Sequence, residues 1–446
     1  LKGVSSGNDP LLRRKKENTK GGFAVKKRIF VLAFAAVLLL AMAAPSMAEV
    51  TIEYWQYYYE SKVKLIDELI PVFEAQNPGI KVKHITFPYD AFNEQVAAAV
   101  AAGEGPDVLN IFYGWLPMYL KQGFLQPLPE KYFTVEQIEE RFIPMVNAVK
   151  VDGQYWALPT AVRSLALFYN VDHFAEEGFT EPPKTWDELL EMAIKLTRRT
   201  DRGALVRQGY GWNVTGQDWH LFREVLLRQW GVAPLSEDNR TVTMNSDPAA
   251  YEVLEWWIDW SRKYGVGEEE GRGLYRDSFL AGRASMIVDG SFGIGTISAN
   301  PNLKWAVAEL PVKEIGGEKS NFGSFWAHAI TRNATGEKLD AAAKFLEFIT
   351  SDEVQRTWLE RVGELPASRA LAQDPALSED PVYGPFVRGL EYSHATFFVD
   401  ETIERELIVE AVDKILLLDA PVKDTLDQLV NDLQKVRDEY FNSLEK

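Results

Sequence analysis

The stretch from Val50 to Phe87 constrains the fold most. Val50 to Trp55 alternates apolar and polar residues as a strand does, and residues 62 to 77 carry Val63, Ile66, Leu69, Ile70 and Phe73 at helical spacing. Asn77-Pro78-Gly79 ends that helix, and Ile80 to Phe87 reads as a second strand. Two strands joined through a helix lie parallel in one sheet, because the crossover is too long for a hairpin. The same alternation continues along the chain. A helix is expected from Asp90 to Ala102, a strand from Asp107 to Phe112 and a helix from Leu116 to Gln122. Further strands are expected at Leu165 to Tyr169, Ala284 to Val288, Ala306 to Leu310 and Ala327 to Thr331. The closing helices are expected at Ile403 to Leu417 and Val422 to Tyr440. This is the pattern of an α/β fold.

The segment LFYNVDHFAEEGFTEPPKTWDELLEMAIKLT, residues 167 to 197, is the best specified locally. Asp172 is placed to cap a single helical turn that Gly178 ends, and Pro182-Pro183 breaks the chain. Thr185 with Glu188 three residues on is a capping box. Trp186, Leu189, Leu190, Ala193 and Ile194 then share one face of the following helix.

Lys26, Lys27 and Arg28 precede an apolar run from Ile29 to Ala44, followed by Pro45-Ser46-Met47-Ala48. This reads as a secretory signal peptide over residues 25 to 48, cleaved after Ala48, and the run falls short of the roughly 20 residues that span a bilayer. Residues 1 to 24 precede it and are expected to be an annotation artefact, with translation starting at Val25. The chain has no cysteine, which rules out disulfides, thiolate metal sites, catalytic thiols and a lipid anchor on cysteine. A formal net charge of −17 argues against nucleic acid or anionic lipid as a partner. No G-x-S-x-G, G-x-x-x-x-G-K or H-E-x-x-H occurs, and the five histidines stand singly.

Ligands in open α/β sheets sit beyond the carboxyl ends of the strands. That rule selects Trp55, Tyr57 and Tyr58 after the first strand, Tyr113 and Trp115 after the third, and Asp289 and Phe292 after the strand ending at Val288. Aromatic rings beside Asp, Gln and Arg suit a sugar, whose flat C–H faces and hydroxyl rim need both. Trp256, Trp257 and Trp260, inside one helix, are expected in the core.

The 167 to 197 segment closely resembles the signature of the family 1 extracellular solute-binding proteins, the capture components of bacterial ABC importers. The strings FEAQNPGIKV (73 to 82), AAGEGPDV (101 to 108), FLAGRASMIVDGSF (279 to 292), AAAKFLEFITSDEVQ (341 to 355) and GELPASR (363 to 369) resemble other parts of that family in the same order. The resemblance implies a two-lobe periplasmic binding protein fold of type II, with the ligand held between lobes joined by hinge crossings. Lobe one would be 49–161 plus 322–375 and lobe two 165–318 plus 376–446, with crossings near Ala161 to Leu165 and Gly316 to Asn321. It places ligand contacts in the loops already named and adds Arg163, Asp218, Trp219, Ser324 and Trp326. It implies a carbohydrate ligand, ABC permease partners, a periplasmic location, a monomer, no cofactor, no metal and no catalysis. A polyamine, ferric ion or glycerol phosphate as ligand, or a secreted glycosidase, remain the alternatives.

Overall fold

The computed structural model describes residues 49–212, 214–267 and 274–444. The signal-peptide expectation and most of the acidic loop from Gly265 to Gly273 lie outside these residues. Among the described residues no helix is long and apolar enough to cross a membrane.

The chain opens as β1 (Val50–Tyr57), α1 (Glu60–Gln76), β2 (Ile80–Phe87), α2 (Phe92–Ala101) and β3 (Val108–Phe112). β1 pairs parallel with both β2 and β3, as the opening pattern requires. After short helices at Leu116–Lys121 and Val135–Arg141 and a small hairpin comes β4 (Ala157–Asn170), an unbroken strand of 14 residues and far longer than the expected Leu165 to Tyr169. Then follow α3 (Trp186–Leu196), β5 (Leu205–Tyr210), β6 (Ala284–Gly290), β7 (Trp305–Ala308) and β8 (Asn321–Ile330). A 14-residue helix, Ala249–Arg262, lies between β5 and β6, and the later elements include α4 (Glu337–Ile349), α5 (Asp352–Val362), β9 (Leu365–Pro366), α6 (Glu401–Leu418) and α7 (Val422–Leu444).

β4 changes partners along its length. Ala157 to Ser164 pair antiparallel with β8, whereas Leu165 to Tyr169 pair antiparallel with β6. β8 in turn pairs with β3, so the order β2-β1-β3-β8-β4-β6-β5 joins two sets of strands through β4 and β8. The strand was underestimated because Thr160, Arg163 and Ser164 interrupt its apolar run. Thr160 and Ser164 are buried with their hydroxyls hydrogen-bonded to the carbonyls of Ile349 and Phe386.

Other departures are local. Asn170, not Asp172, caps the turn over Val171–Glu176, its side chain accepting from the His173 N–H. The Thr185–Glu188 capping box forms as expected, but Ile194 is exposed and Leu196 takes its place on the buried face. β5 is hidden in the sequence because Arg207 and Gln208 break its alternation. Arg207 is accommodated by Glu176, 2.7 Å from its Nη1, and by the Leu196 carbonyl. A Cβ on Gly209 would lie 1.8 Å from the Ala193 carbonyl, so only glycine lets α3 pack this closely on β5. Residues 218 to 229 are helical, with Leu221–Leu226 in π geometry, a form often found beside functional sites. Trp257 and Trp260 are fully buried, and Trp256 packs against the core from its margin.

Candidate functional site

β1, β2 and β3 run parallel, so Tyr57, Phe87 and Phe112 end on one edge of the sheet, and the residues that follow crowd there. On the adjoining β8, Ser324 and Trp326 lie opposite Arg163 and Ala161 of β4. Directly opposed residues share a face of the sheet, so Arg163, Ser324 and Trp326 point the same way.

The rings gather around Trp326. Tyr57 lies against it with centroids 4.0 Å apart, and Trp115 meets it edge-on at 5.1 Å. Tyr89, half exposed, is 5.7 Å from Tyr57, 5.9 Å from Trp115 and 6.1 Å from Trp326. Together these side chains make a broad apolar wall with one ring open to solvent. Tyr89 escaped the sequence reading, although it follows the carboxyl end of β2 and the same rule would have selected it.

Beside this wall, Glu364 is buried and holds three donors. Arg163 bonds it through Nε at 2.7 Å and also through Nη2, Lys62 Nζ is at 2.9 Å, and the Trp358 indole N–H is at 2.9 Å. Burial alone would raise the Glu364 pKa, but Arg163 and Lys62 reverse that and hold it at about 2. Gly363, left-handed at φ 80°, ends α5 and turns the chain so that Glu364 reaches this position. Lys62 and Glu364 were not selected from sequence; only the approach of α1 to α5 makes them partners.

Across the change of partner in β4, Phe292 packs under two guanidinium groups, with Arg163 Cζ 5.1 Å and Arg276 Cζ 5.3 Å from its centroid. Asp289 is fully buried and accepts from Arg276 Nε at 2.7 Å, the Tyr275 hydroxyl at 3.0 Å and the Gly290 N–H at 2.8 Å. Its carboxylate is thus committed within the protein.

A second group surrounds Phe398, which the sequence reading did not select. Tyr113 stacks on Phe325 at 4.8 Å and lies 6.1 Å from Phe398, and Trp219 is 5.8 Å from Phe398. His220 lies flat on Phe322 at 3.6 Å. Asp218 is buried and accepts from the Tyr210 hydroxyl at 2.9 Å.

The structure therefore brings Tyr57, Trp115, Arg163, Ser324 and Trp326 together, joins Phe292 to them through Arg163, and gathers Tyr113 and Trp219 in the neighbouring group. Tyr58 is exposed at the edge. Trp55 is buried behind the wall, its ring 5.0 Å from Phe87 and its N–H donated to Glu53 at 3.0 Å. A separate depression of about 470 Å³ lies near Arg141, Ser351 and Arg369, at the opposite end of α5 from Glu364. Among the described residues no three His, Cys, Asp or Glu side chains are grouped to hold a metal ion.

Two α/β halves sharing two long strands form the two-lobe fold of maltose-binding-protein-type structures. The chain belongs to the bacterial extracellular solute-binding protein family, whose profile matches residues 68–384. It is 24% identical over 392 residues to the galactooligosaccharide-binding protein of Bacillus subtilis, covering 85% of this chain and 90% of that one. It is 23% identical over 421 residues to the sn-glycerol-3-phosphate-binding periplasmic protein of Escherichia coli, covering 83% and 91%. Among solved structures, the cyclic alpha-maltosyl-1,6-maltose binding protein of Arthrobacter globiformis superposes with a TM-score of 0.77 at 23% identity, covering 87% of this chain and 99% of that one.

Proposed function

We propose that this protein captures a carbohydrate, an oligosaccharide or sugar derivative, between its two lobes and delivers it to the permease of an ABC importer. The observation that carries this reading is the ring wall of Tyr57, Tyr89, Trp115 and Trp326 standing beside charges that already satisfy one another. Apolar rings match the C–H faces of a sugar, and the polar margin of Arg163, Ser324 and Arg276 can meet hydroxyls. The names of relatives that bind galactooligosaccharide and cyclic maltosyl-maltose support it.

The charge pairing also weighs against the alternatives. A polyamine needs free carboxylates, but Glu364 and Asp289 are each held by cations. A phosphate needs free cations, and Arg163 and Arg276 are each engaged by a carboxylate. A glycosidase needs one carboxyl to stay protonated as an acid, and Glu364, held at about 2 by Arg163 and Lys62, is not that group. In this reading binding is capture and release with no bond made or broken, as in the family of binding proteins to which the chain belongs.

In this reading lobe one is 49–161 plus 322–375 and lobe two 165–318 plus 376–446. Ligand touching both would shift the population toward a closed form. The protein works as a periplasmic monomer after removal of a signal peptide. Trp55, Tyr58, Tyr113, Asp218, Trp219, Asp289 and Phe292 belong to the proposed site or its supports.

The test is a thermal-shift panel of maltotriose, galactotriose and cyclic tetrasaccharides against spermidine, ferric citrate and glycerol 3-phosphate. A saccharide should raise the melting temperature by binding linkage. A response only to one of the other three compounds would overturn the ligand class.

A further inference from the structure

The charges beside the ring wall pair, but not one for one. Glu364 takes both Arg163 and Lys62, while Asp289 takes Arg276, so three cations face two carboxylates. The charges around them do not cancel the excess. Glu401 and Arg405, close to Tyr89, pair with each other at 3.4 Å. In the group around Phe398, Arg223, Arg228 and Arg437 are matched in number by Asp218, Glu224 and Glu404. One positive charge is left over at the strand crossing.

The two signs are also unequally presented. The side chains of Glu364 and Asp289 are 7% and 0% exposed, whereas those of Arg163 and Arg276 are 21% and 27% exposed. Arg163 spends Nε and Nη2 on Glu364, and Arg276 spends Nε and Nη2 on Asp289 and Tyr275. Nη1 of each, with two N–H donors, makes no hydrogen bond among the described residues, and neither atom is sealed from solvent. Both guanidinium groups border the single ring of Phe292, at 5.1 and 5.3 Å from its centroid. A ligand that reaches Phe292 therefore meets guanidinium edges, with their carboxylates out of reach behind them.

The surplus selects among sugars. A neutral saccharide would leave that charge uncompensated when it displaces water from the site, which is costly. A carboxylate neutralises it, and its two oxygens match the fork of a guanidinium. A phosphate monoester brings roughly −1.5 to −2, more than the single charge available. Resting on the carbohydrate reading, we propose that the ligand is an acidic saccharide containing a uronic acid, whose carboxylate is received by the Nη1 edges of Arg163 and Arg276 beside Phe292. Its ring faces lie along Tyr89 and the rest of the wall.

Two experiments decide it. The purified protein is heated with oligosaccharide pools from partly hydrolysed polygalacturonate, alginate and glucuronoxylan, and with the same pools after reduction of their carboxyl groups to primary alcohols. At least one acidic pool should raise the melting temperature, and its reduced counterpart should raise it much less. An equal response to the reduced counterpart, or no response to any acidic pool, overturns the proposal. Capture of carbohydrate still stands where reduced or neutral oligosaccharides respond, and falls only where spermidine, ferric citrate or glycerol 3-phosphate responds alone. In the second experiment, Lys62→Met removes the surplus charge from behind the wall and leaves Arg163 and Glu364 as a neutral pair. Affinity for the acidic oligosaccharide should fall about tenfold, and affinity for its reduced counterpart by less than about twofold. No loss, or equal losses for both, would show that the charge of Lys62 plays no part in recognition and overturn the proposal.

Discussion

Arg163 and Glu364, separated by 201 residues, meet at 2.7 Å where β4 passes from one set of strands to the other. The carboxylate is fixed from behind by Lys62 and Trp358, and the guanidinium reaches forward over Phe292. One buried carboxylate therefore anchors the charged group at the crossing.

Glu364→Gln should be strongly destabilising. It leaves Lys62 and Arg163 without their anion in a buried setting, a loss of about 3–5 kcal/mol. Urea unfolding measures it. A change below ~1 kcal/mol would show that solvent reaches the two cations.

Acid should weaken the protein in two stages. Burial, with help from the nearby Lys62 charge, lowers His328 to about 3, against about 6.5 for an unfolded histidine. The unfolded chain thus binds a proton that the folded chain refuses, and stability falls as pH drops from about 6.5 toward 3. Glu364, at about 2 when folded and about 4.3 when unfolded, contributes stability that is full above about 4.3 and lost toward 2. Melting temperatures from pH 7 to pH 3 should decline throughout. His328→Gln should flatten the upper part of the curve, and an unaltered curve would contradict the assignment.

Tyr89→Ala should reduce saccharide affinity with little effect on stability, because the ring is 54% exposed. A loss of about 1.4 kcal/mol, or tenfold in Kd, is expected for removing one ring of the wall. Calorimetric titration with a saccharide that stabilises the wild type provides the measurement.

Trp55→Ala should do the reverse. Its ring is buried against Phe87, so truncation should cost about 3–5 kcal/mol of stability. Affinity of the folded fraction should change less than in Tyr89→Ala. The opposite ranking would move Trp55 into the ligand contact surface.

Glu404→Gln should loosen the C-terminal helices. Glu404 on α6 is fully buried, 2.7 Å from Arg223 and 3.4 Å from Arg437 of α7. Removing its charge leaves two buried guanidinium groups and should cost about 3–5 kcal/mol. Hydrogen exchange should rise first in α6 and α7.

Local chemistry was enough to read much of this chain. The parallel start of the sheet, the Thr185–Glu188 capping box and the closing helices all follow from periodicity and capping. The capping box of Thr134 and Gln137, which starts the helix Val135–Arg141, is also legible in the chain itself. The ends of β1 and β3 pointed to rings that do cluster, since strand direction alone dictates where they emerge.

What local chemistry could not supply is the partner of a residue distant in sequence. Nothing near Ser164 announces that β4 exchanges β8 for β6, because a strand looks the same whichever neighbour it pairs with. Nor does anything near Lys62, Arg163 or Glu364 tell that these charges neutralise one another. Periodicity and capping act over a few residues and are written in the chain itself. Burial of a charge is tolerable only when its counter-charge arrives from another element, and that meeting exists only in the folded molecule.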